Sequence, residues 1–355
     1  MRINTRRVLW LITVLTLALC ACGLTAAAIA RTLDRAASQR IVFDTRQGND
    51  GEIYLMSVHG SLYTAYDQLT ANSADECCPV VSPDGARIAY ASNSDGNWDI
   101  FTTSIGADEG GLTVPLTSNI AVDTDPVWSP DGERIAFVSY RHGNNEIYVV
   151  NADGSGEMRL TNNSGDDSDL SWSPDGRRIA FRSSRNQIGR GATWEIYVMN
   201  ADGSGQEQLT HDFAPAGDPA WSPDGARIAF VSNRSGDWEI YVVEEDGSSP
   251  RRLTVDPGRD TSPVWSPDGA RIAFLSNRDG DKEIYVMNAD GTSQSNLTNN
   301  PAFDGNFAWS LDGQSIVFQT NRDGNWEIYV MNADGSWQTR LTHSPAEDDH
   351  PVWIP

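Results

Sequence analysis

An internal repeat restricts this 355-residue sequence to a small set of folds. Seven of the Leu-Thr dipeptides are spaced 44 to 49 residues apart, and Ser-Pro-Asp-Gly recurs within the same intervals. A period of about 45 residues is typical of β-propellers, in which each blade is a sheet of four short strands. These seven Leu-Thr pairs begin at Leu69, Leu116, Leu160, Leu209, Leu253, Leu297 and Leu341.

One repeat, residues 263–298, shows how the residue types encode a blade. It opens with Pro-Val-Trp, and proline suits the first position of a strand because it has no N–H to donate. The Ser-Pro-Asp-Gly sequence that follows has the proline and glycine that a tight turn requires. Residues 271–276 and 283–287 then alternate apolar side chains over a strand length. Both faces of these strands are apolar, as expected for a sheet packed between two other sheets.

The number of strands predicts how the ring closes. Seven hairpins of second and third strands can be identified, the first formed by residues 40–43 and 52–55. Six inner strands lie between the hairpins, and the last segment of the chain, residues 350–355, supplies the seventh. We therefore predict an all-β, seven-bladed β-propeller whose C-terminal strand completes the first blade and leaves no free sheet edge. Six blades are the alternative if the first hairpin is ancillary.

Four recurring motifs identify a family resemblance. Trp-Ser-Pro-Asp-Gly, Arg-Ile-Ala-Phe, Glu-Ile-Tyr-Val-Met and Asn-Ala-Asp-Gly resemble the repeat of TolB-type β-propellers, over residues 40–355. The resemblance implies a propeller, whereas function varies among relatives, which include binding proteins, accessory domains of peptidases and some lyases. Only about ten residues precede the first blade after the N-terminal apolar segment. We therefore expect no counterpart of the separate N-terminal α/β domain of TolB.

The N-terminus reads as an export or anchor segment, which we expect to form a helix. Three arginines precede an uncharged run over residues 8–30, as in export signals. Residues 1–30 are thus predicted to be a signal peptide, a lipoprotein signal or a membrane anchor. Residues 31–39 form a linker, and residues 40–355 form the propeller.

Three outcomes are possible for this segment. Leu19-Cys-Ala-Cys22 resembles a lipobox, with Cys22 as the lipidated residue. Ala28-Ile-Ala30 fits a cleavage site that would release the protein, and an uncut run of this length can span a bilayer. Each outcome places the propeller outside the cytoplasm, in the periplasm or on the cell surface, with membrane contact through the N-terminal segment alone.

Charge limits the partners of the propeller. The chain has 49 acidic and 26 basic residues and a formal net charge of −23. Nucleic acid is excluded as a partner because the chain could not neutralise a run of phosphates. A cationic ligand, a metal ion or a basic protein surface is favoured. We expect a monomeric propeller that binds a protein or glycan of the cell envelope.

Acidic residues cluster just before the predicted inner strands. In a four-stranded meander these segments share one face with the turns between second and third strands, and they should ring the mouth of the central channel. Variable loops on a rigid scaffold are where binding concentrates. The candidate binding residues are Asp123, Asp125, Asp167, Asp169, Asp218, Asp260, Asp304, Asp348, Asp349 and His350. A solvated acidic rim without a ligand is the alternative.

Signals for catalysis and for cofactors are weak. Neither a G-x-S-x-G nor an H-E-x-x-H motif occurs in the sequence, so no catalytic residue is assigned. No cofactor is required, although carboxylates converging on one axis could bind calcium through oxygen ligands. Cys77 and Cys78 are either two thiols or a strained adjacent disulfide. A binding or scaffold protein is therefore the leading hypothesis, and a cell-surface polysaccharide lyase or hydrolase is the alternative.

Overall fold

The computed structural model describes residues 39–355, apart from residues 49, 60–61, 107–112, 187–192 and 213. The export or anchor segment, Cys22 and most of the 186–192 insertion lie outside the described residues, so the predictions for them stay predictions. The described part of the chain contains strands and no helix, hence no helix that could cross a membrane.

The described residues form seven four-stranded antiparallel sheets, one for each blade. The strands are numbered in chain order. The first blade has β1 (Gln39–Gln47), β2 (Asp50–His59) and β3 (Leu62–Gln68), joined by β28 (Glu347–Trp353). The second blade has β4 (Glu76–Val81), β5 (Arg87–Ser92), β6 (Asp99–Ser104) and β7 (Val114–Pro115), and the third has β8 (Asp123–Trp128), β9 (Arg134–Ser139), β10 (Glu146–Asn151) and β11 (Met158–Arg159).

The remaining four blades repeat the same plan. The fourth has β12 (Asp167–Trp172), β13 (Arg178–Ser183), β14 (Glu195–Asn200) and β15 (Glu207–Gln208), and the fifth has β16 (Ala216–Trp221), β17 (Arg227–Ser232), β18 (Glu239–Glu244) and β19 (Arg251–Arg252). The sixth has β20 (Asp260–Trp265), β21 (Arg271–Ser276), β22 (Glu283–Asn288) and β23 (Ser295–Asn296), and the seventh has β24 (Asp304–Trp309), β25 (Ser315–Thr320), β26 (Glu327–Asn332) and β27 (Thr339–Arg340).

The last strand closes the ring, as predicted. β28 pairs antiparallel with β1, so that Ile41 lies opposite Trp353 and Val42 lies opposite Val352. The C-terminal strand thereby becomes the inner strand of the first blade. Seven blades are confirmed among the described residues, and the six-bladed alternative does not apply.

The core lies between neighbouring blades. Trp265, on the inner strand of the sixth blade, is 6% exposed and packs with Ile240 and Val231 of the fifth blade. Its indole N–H donates to the Ala220 carbonyl of that blade over 3.1 Å. Phe274 is fully buried in the same cluster. Both faces of each sheet are apolar because each sheet packs against two others. The equivalent tryptophans of the other blades are Trp128, Trp172, Trp221, Trp309 and Trp353.

The repeated Ser-Pro-Asp-Gly sequence forms a turn, as its composition predicts. In the sixth blade the Ser266 hydroxyl donates to the Asp268 carboxylate over 2.6 Å, and the Ala270 amide donates to the same oxygen over 3.0 Å. The hydrogen bond from Ser266 lowers the pKa of Asp268. Gly269 has a φ of +67°, which favours glycine. These aspartates therefore serve turn geometry.

The meander gives the propeller two distinct faces. One face carries the Ser-Pro-Asp-Gly and Asn-Ala-Asp-Gly turns. The opposite face, here called the link face, carries the turns between second and third strands, such as 140–145, and the links between blades, such as 341–346. Each inner strand starts at the link face, so its first residues lie near that end of the central channel.

Candidate functional site

Every inner strand contains one β-bulge at the same position. The inner strands share a sequence pattern that can be written D-x-X-P-V-W, as in Asp260–Trp265 of β20. The hydrogen-bond ladder to the second strand shifts register around the third residue of this pattern, and that residue has a positive φ. Proline follows this residue in five of the seven strands, and it cannot donate to the ladder. We call these residues the channel ring: Cys78, Asp125, Asp169, Asp218, Ser262, Asn306 and His350.

Contacts between blades show that the ring positions adjoin one another. The Ser262 amide donates to the Asp218 carboxylate of the preceding blade over 3.0 Å. The Asn306 side-chain amide donates to Asp349, beside His350 in the next blade, over 2.7 Å. The inner strand is the innermost edge of each sheet, so the channel ring surrounds the axis of the propeller.

Three consecutive blades contribute a carboxylate to the channel ring. Asp125 is exposed, whereas Asp169 and Asp218 are half-buried. Burial is the largest influence on Asp169 and raises the pKa of its carboxyl; the charges of Asp218 and Asp125 raise it further. Arg182 opposes this effect, with its Nε 3.0 Å from Asp169 Oδ2. Asp169 is therefore influenced by the charges of both neighbouring carboxylates, and Arg182 partly compensates them.

A histidine and a cysteine occupy two neighbouring ring positions. His350 Nδ1 lies 2.9 Å from Asp44 Oδ1 on β1. Burial lowers the pKa of His350, but the hydrogen bond and charge of Asp44, helped by Asp349, raise it to about 9. His350 is therefore a cation paired with Asp44 at neutral pH.

Cys78 lies beside the second cysteine of its strand. The Sγ atoms of Cys77 and Cys78 are 2.8 Å apart, a hydrogen-bond contact longer than the roughly 2.05 Å of a disulfide. The two residues are free thiols in this structure. The hydrogen bond with Cys77, and then burial, raise the pKa of Cys78, so its thiol is protonated at neutral pH.

The structure divides the predicted binding residues into two groups. Asp125, Asp169, Asp218 and His350 belong to the channel ring, and Asp349 adjoins it. Five other aspartates are the first residues of the strand pattern, and they are at most 2% exposed, so they are buried within the blades instead of open to solvent at the channel mouth. They are Asp123, Asp167, Asp260, Asp304 and Asp348.

The buried position of this second group has a physical reason. Four of the five aspartates meet an arginine of their own blade, as Asp260 meets Arg278 over 2.8 Å. The bulge separates the first and third positions, and in the fourth blade the first, Asp167, is fully buried whereas the third, Asp169, is half-buried. The other three pairs are Asp123–Arg141, Asp167–Arg185 and Asp304–Arg322, at 3.0 to 3.1 Å.

Sequence reasoning missed the residues that support the channel ring. The fifth position of the Arg-Ile-Ala-Phe strand is apolar in four blades but polar at Asp44, Arg182 and Gln319. Asp44 contacts His350, Arg182 contacts Asp169, and Gln319 accepts from Asn306 over 3.1 Å. The departure from the repeat at these positions was a signal that could have identified them.

One acidic group among the described residues has the spacing for a metal ion. Oxygens of Glu239, Asp256 and Asp260 lie within 4.8 Å of one another. Arg278 is 2.7 Å from Asp256 and 2.8 Å from Asp260, and Arg252 pairs with Glu239. Two guanidinium groups thus already supply the positive charge that a calcium ion would bring. These residues do not fit a calcium site unless Arg278 is displaced.

Comparisons with known proteins agree with the fold. The TolB beta propeller domain family matches residues 187–262 and 255–355, and the Tricorn protease N-terminal beta propeller domain matches residues 105–208. No curated protein sequence matches the chain significantly.

Solved structures extend the likeness to most of the propeller. TolB from Acinetobacter baumannii is 20% identical, covers 89% of this chain and 82% of its own, and has a TM-score of 0.58. An oligogalacturonate lyase in complex with manganese is 16% identical, with 87% and 86% covered and a TM-score of 0.67. A Mycobacterium tuberculosis puromycin-hydrolyzing peptidase is 18% identical, and 87% of this chain covers 55% of that one, with a TM-score of 0.64. Identities this low establish the fold alone. The repeats, strand order and closure identify this protein as a seven-bladed β-propeller, and residues 187–355 match the TolB beta propeller domain family.

Proposed function

We propose that this protein is an exported, envelope-anchored binding module whose channel ring docks a cationic group of an envelope protein or glycan. The observation that carries the proposal is the run of three carboxylates, Asp125, Asp169 and Asp218, on consecutive blades. A cationic group bound between them would relieve the repulsion that helps to raise the pKa of Asp169. The predicted export segment in residues 1–30 supports a location outside the cytoplasm.

Electrostatics favours a cationic ligand over an anionic one. The net charge of −23 attracts cations over long range, and the ring carboxylates then act at contact distance. Arg182 is held by Asp169 and by the Ser168 hydroxyl, 3.0 Å from its Nε, and its guanidinium lies 4.4 Å from the Trp194 ring centroid. An arginine with these partners is already engaged, which leaves Asp125 and Asp218 for a ligand.

The test must distinguish binding by the channel ring from non-specific attraction of cations by the net negative charge. Binding of a pentalysine peptide and of a chitosan oligomer is measured by fluorescence anisotropy for the wild type and for the triple variant D125N/D169N/D218N. The matched control is D153N/D202N/D290N, which removes three exposed carboxylates from the opposite face. We expect the ring variant to lose at least tenfold in affinity and the control to change less than twofold. Equal losses in both variants would show non-specific attraction and overturn the proposal.

Catalysis on an envelope polysaccharide is the second candidate, favoured by the His350–Asp44 pair in the channel. With a pKa of about 9, His350 would donate a proton at neutral pH and could act as a base only in alkaline solution. An acidic sugar would also meet the ring carboxylates. Incubation with uronic acid oligosaccharides at pH 7 and pH 10, followed by ultraviolet absorbance of unsaturated products, tests this candidate.

A further inference from the structure

In five blades, the guanidinium group of an arginine of the same blade packs on an aromatic pair. An arginine two residues after the second strand lies over the Phe–Tyr pair of its own blade. In the sixth blade the Arg278 guanidinium is 4.6 Å from the Tyr285 centroid and 5.5 Å from the Phe274 centroid. It also pairs with the buried Asp260 over 2.8 Å. The five arginines are Arg141, Arg185, Arg234, Arg278 and Arg322.

The first blade keeps this arrangement but lacks the arginine. Gln47 occupies the equivalent position, two residues after Thr45, as Arg278 is two residues after Ser276. The aromatic pair remains, because the Phe43 and Tyr54 rings stack with centroids 6.0 Å apart. A cleft of about 600 Å³ opens on the link face in place of the guanidinium, and both Gln47 and the aromatic pair line it. This volume lies within the range of small-molecule sites.

The carboxylate that the missing arginine would neutralise is still present. Asp348 is 2% exposed, lines the cleft, and holds the first inner-strand position that Asp260 holds in the sixth blade. Its Oδ2 atom has no hydrogen-bond partner among the described residues. Burial is the main cause that raises the pKa of Asp348, to about 6, although hydrogen bonds from Thr45, Thr342 and Ser344 oppose it, so the carboxyl is mostly ionised at pH 7. A buried carboxylate without a cation is costly.

The other walls of the cleft add negative charge. Glu52 accepts from the Thr70 hydroxyl over 2.7 Å and from the Asn72 amide over 3.0 Å, and it lines the cleft with Asp50. In the seventh blade the equivalent Glu327 pairs with Arg340, but Gln68 stands at that position in the first blade. The described lining of the cleft therefore contains three carboxylates and neither arginine nor lysine.

The second blade shows the same relation between a missing arginine and an open cleft. Ser94 stands where the arginine would be, and a cleft of about 370 Å³ is lined by Ser94, Tyr90 and Phe101. Glu76 is 1% exposed in its wall, and its Oε2 atom lacks a hydrogen-bond partner among the described residues. The side chains of Asn72 and Ser92 donate hydrogen bonds to the other carboxylate oxygen of Glu76. The second-blade cleft is also smaller than the first-blade cleft.

We propose that the first-blade cleft binds a guanidinium group from outside the chain, stacked on Phe43 and Tyr54 and paired with Asp348. A guanidinium suits the place better than an ammonium because it is planar, weakly hydrated and able to stack on aromatic rings. The group could belong to a free guanidinium compound or to an arginine side chain of a protein. The cleft is separate from the channel ring, so the proposal does not rest on the proposed function.

The experiment uses agmatine and Gly-Arg-Gly as guanidinium probes, with putrescine and Gly-Lys-Gly as matched ammonium controls. Calorimetry is run on the wild type, on D348N, on Q47R and on the control D153N, whose changed residue lies on the opposite face. We expect at least a tenfold preference for guanidinium, a tenfold or greater loss in D348N, and no change in D153N. Q47R supplies the missing arginine and should abolish binding while raising the melting temperature.

The outcomes separate the two sources and allow the proposal to fail. Tighter binding of agmatine indicates a free compound, and tighter binding of Gly-Arg-Gly indicates a protein side chain. Equal binding of guanidinium and ammonium probes, unaffected by Q47R and D348N, overturns the proposal. If one variant does not fold, as judged by circular dichroism, the other variant decides.

Discussion

At the scale of single residues, departures from the repeat mark the places with distinctive chemistry. Asp44, Arg182 and Gln319 interrupt an otherwise apolar strand position, and each supports one residue of the channel ring. Gln47 interrupts the series of arginines and leaves a cleft. In a repeat protein, packing determines the residue type at most positions of a strand. A polar residue at a position that is apolar in the other blades therefore indicates a local role other than packing.

The pairing of His350 with Asp44 makes stability depend on pH. The pKa of His350 rises from 6.5 in the unfolded chain to about 9 in the folded protein. The charged pair is therefore stabilising below pH 6.5, and its contribution is lost as the pH rises through 9. We expect D44N to lower the His350 pKa towards 6.5 in an NMR titration. It should also reduce the unfolding free energy at pH 7 by about 1 kcal/mol, since the pair is partly exposed.

The control for this prediction is D153N, which alters an exposed turn away from the histidine. Its titration curve for His350 should match that of the wild type. An unchanged His350 pKa in D44N would contradict the assigned pairing.

At the scale of elements, the C-terminal strand contributes a large share of stability. Trp353 is 6% exposed and donates its indole N–H to the Ala308 carbonyl of the seventh blade over 3.2 Å. Replacing a buried tryptophan by alanine costs about 3–5 kcal/mol, out of a total of about 5–15 kcal/mol. We expect W353A to lower the melting temperature strongly and deletion of residues 350–355 to cause unfolding or aggregation.

A matched tryptophan allows a direct control. Trp337 is 79% exposed on a turn, so W337A should melt within a degree or two of the wild type. Similar melting temperatures for W353A and W337A would argue against the role of β28 in closing the ring.

The N-terminal segment is the second element with a distinct expected behaviour. Residues 1–30 are predicted to anchor the protein, and Cys22 is the predicted site of lipidation. If lipid is the anchor, C22A should shift the protein from the membrane fraction to the soluble fraction or mislocalise it. Retention of C22A with an uncut N-terminus would favour a membrane helix. Wild-type protein that is wholly soluble and starts near Arg31 would refute both kinds of anchor.

At the scale of the whole molecule, the excess of acidic residues sets the response to ions. Self-repulsion at a net charge of −23 should make the melting temperature rise with ionic strength. Arg278 and Arg252 already neutralise the acidic group of Glu239, Asp256 and Asp260. We therefore expect calcium and magnesium at equal ionic strength to raise the melting temperature equally. A larger shift with calcium, reversed by a chelator, would instead support a dedicated calcium site.

The repeat alone was sufficient to predict the propeller. The motifs predicted the strands, the turn role of Asp268 and the closure by residues 350–355, because each depends on local turn chemistry and on strand periodicity. The candidate site was predicted only in part. Asp169 lies in the channel ring, but Asp167, two residues earlier, is buried against Arg185. In a regular strand these two side chains would share a face.

The sequence by itself thus predicted the strand order of the blades and their number, with six as the alternative to seven, and it showed acidic residues just before the inner strands. The tertiary structure alone decided which carboxylates face the channel, since a β-bulge breaks the two-residue alternation and its consequence appears only in three dimensions. It also decided that Gln47 matters, because the cleft left by the missing arginine lies where Phe43, Tyr54 and Asp348 converge. The repeated motifs specify the propeller, whereas contacts between residues far apart in sequence determine which ligand an individual blade can bind.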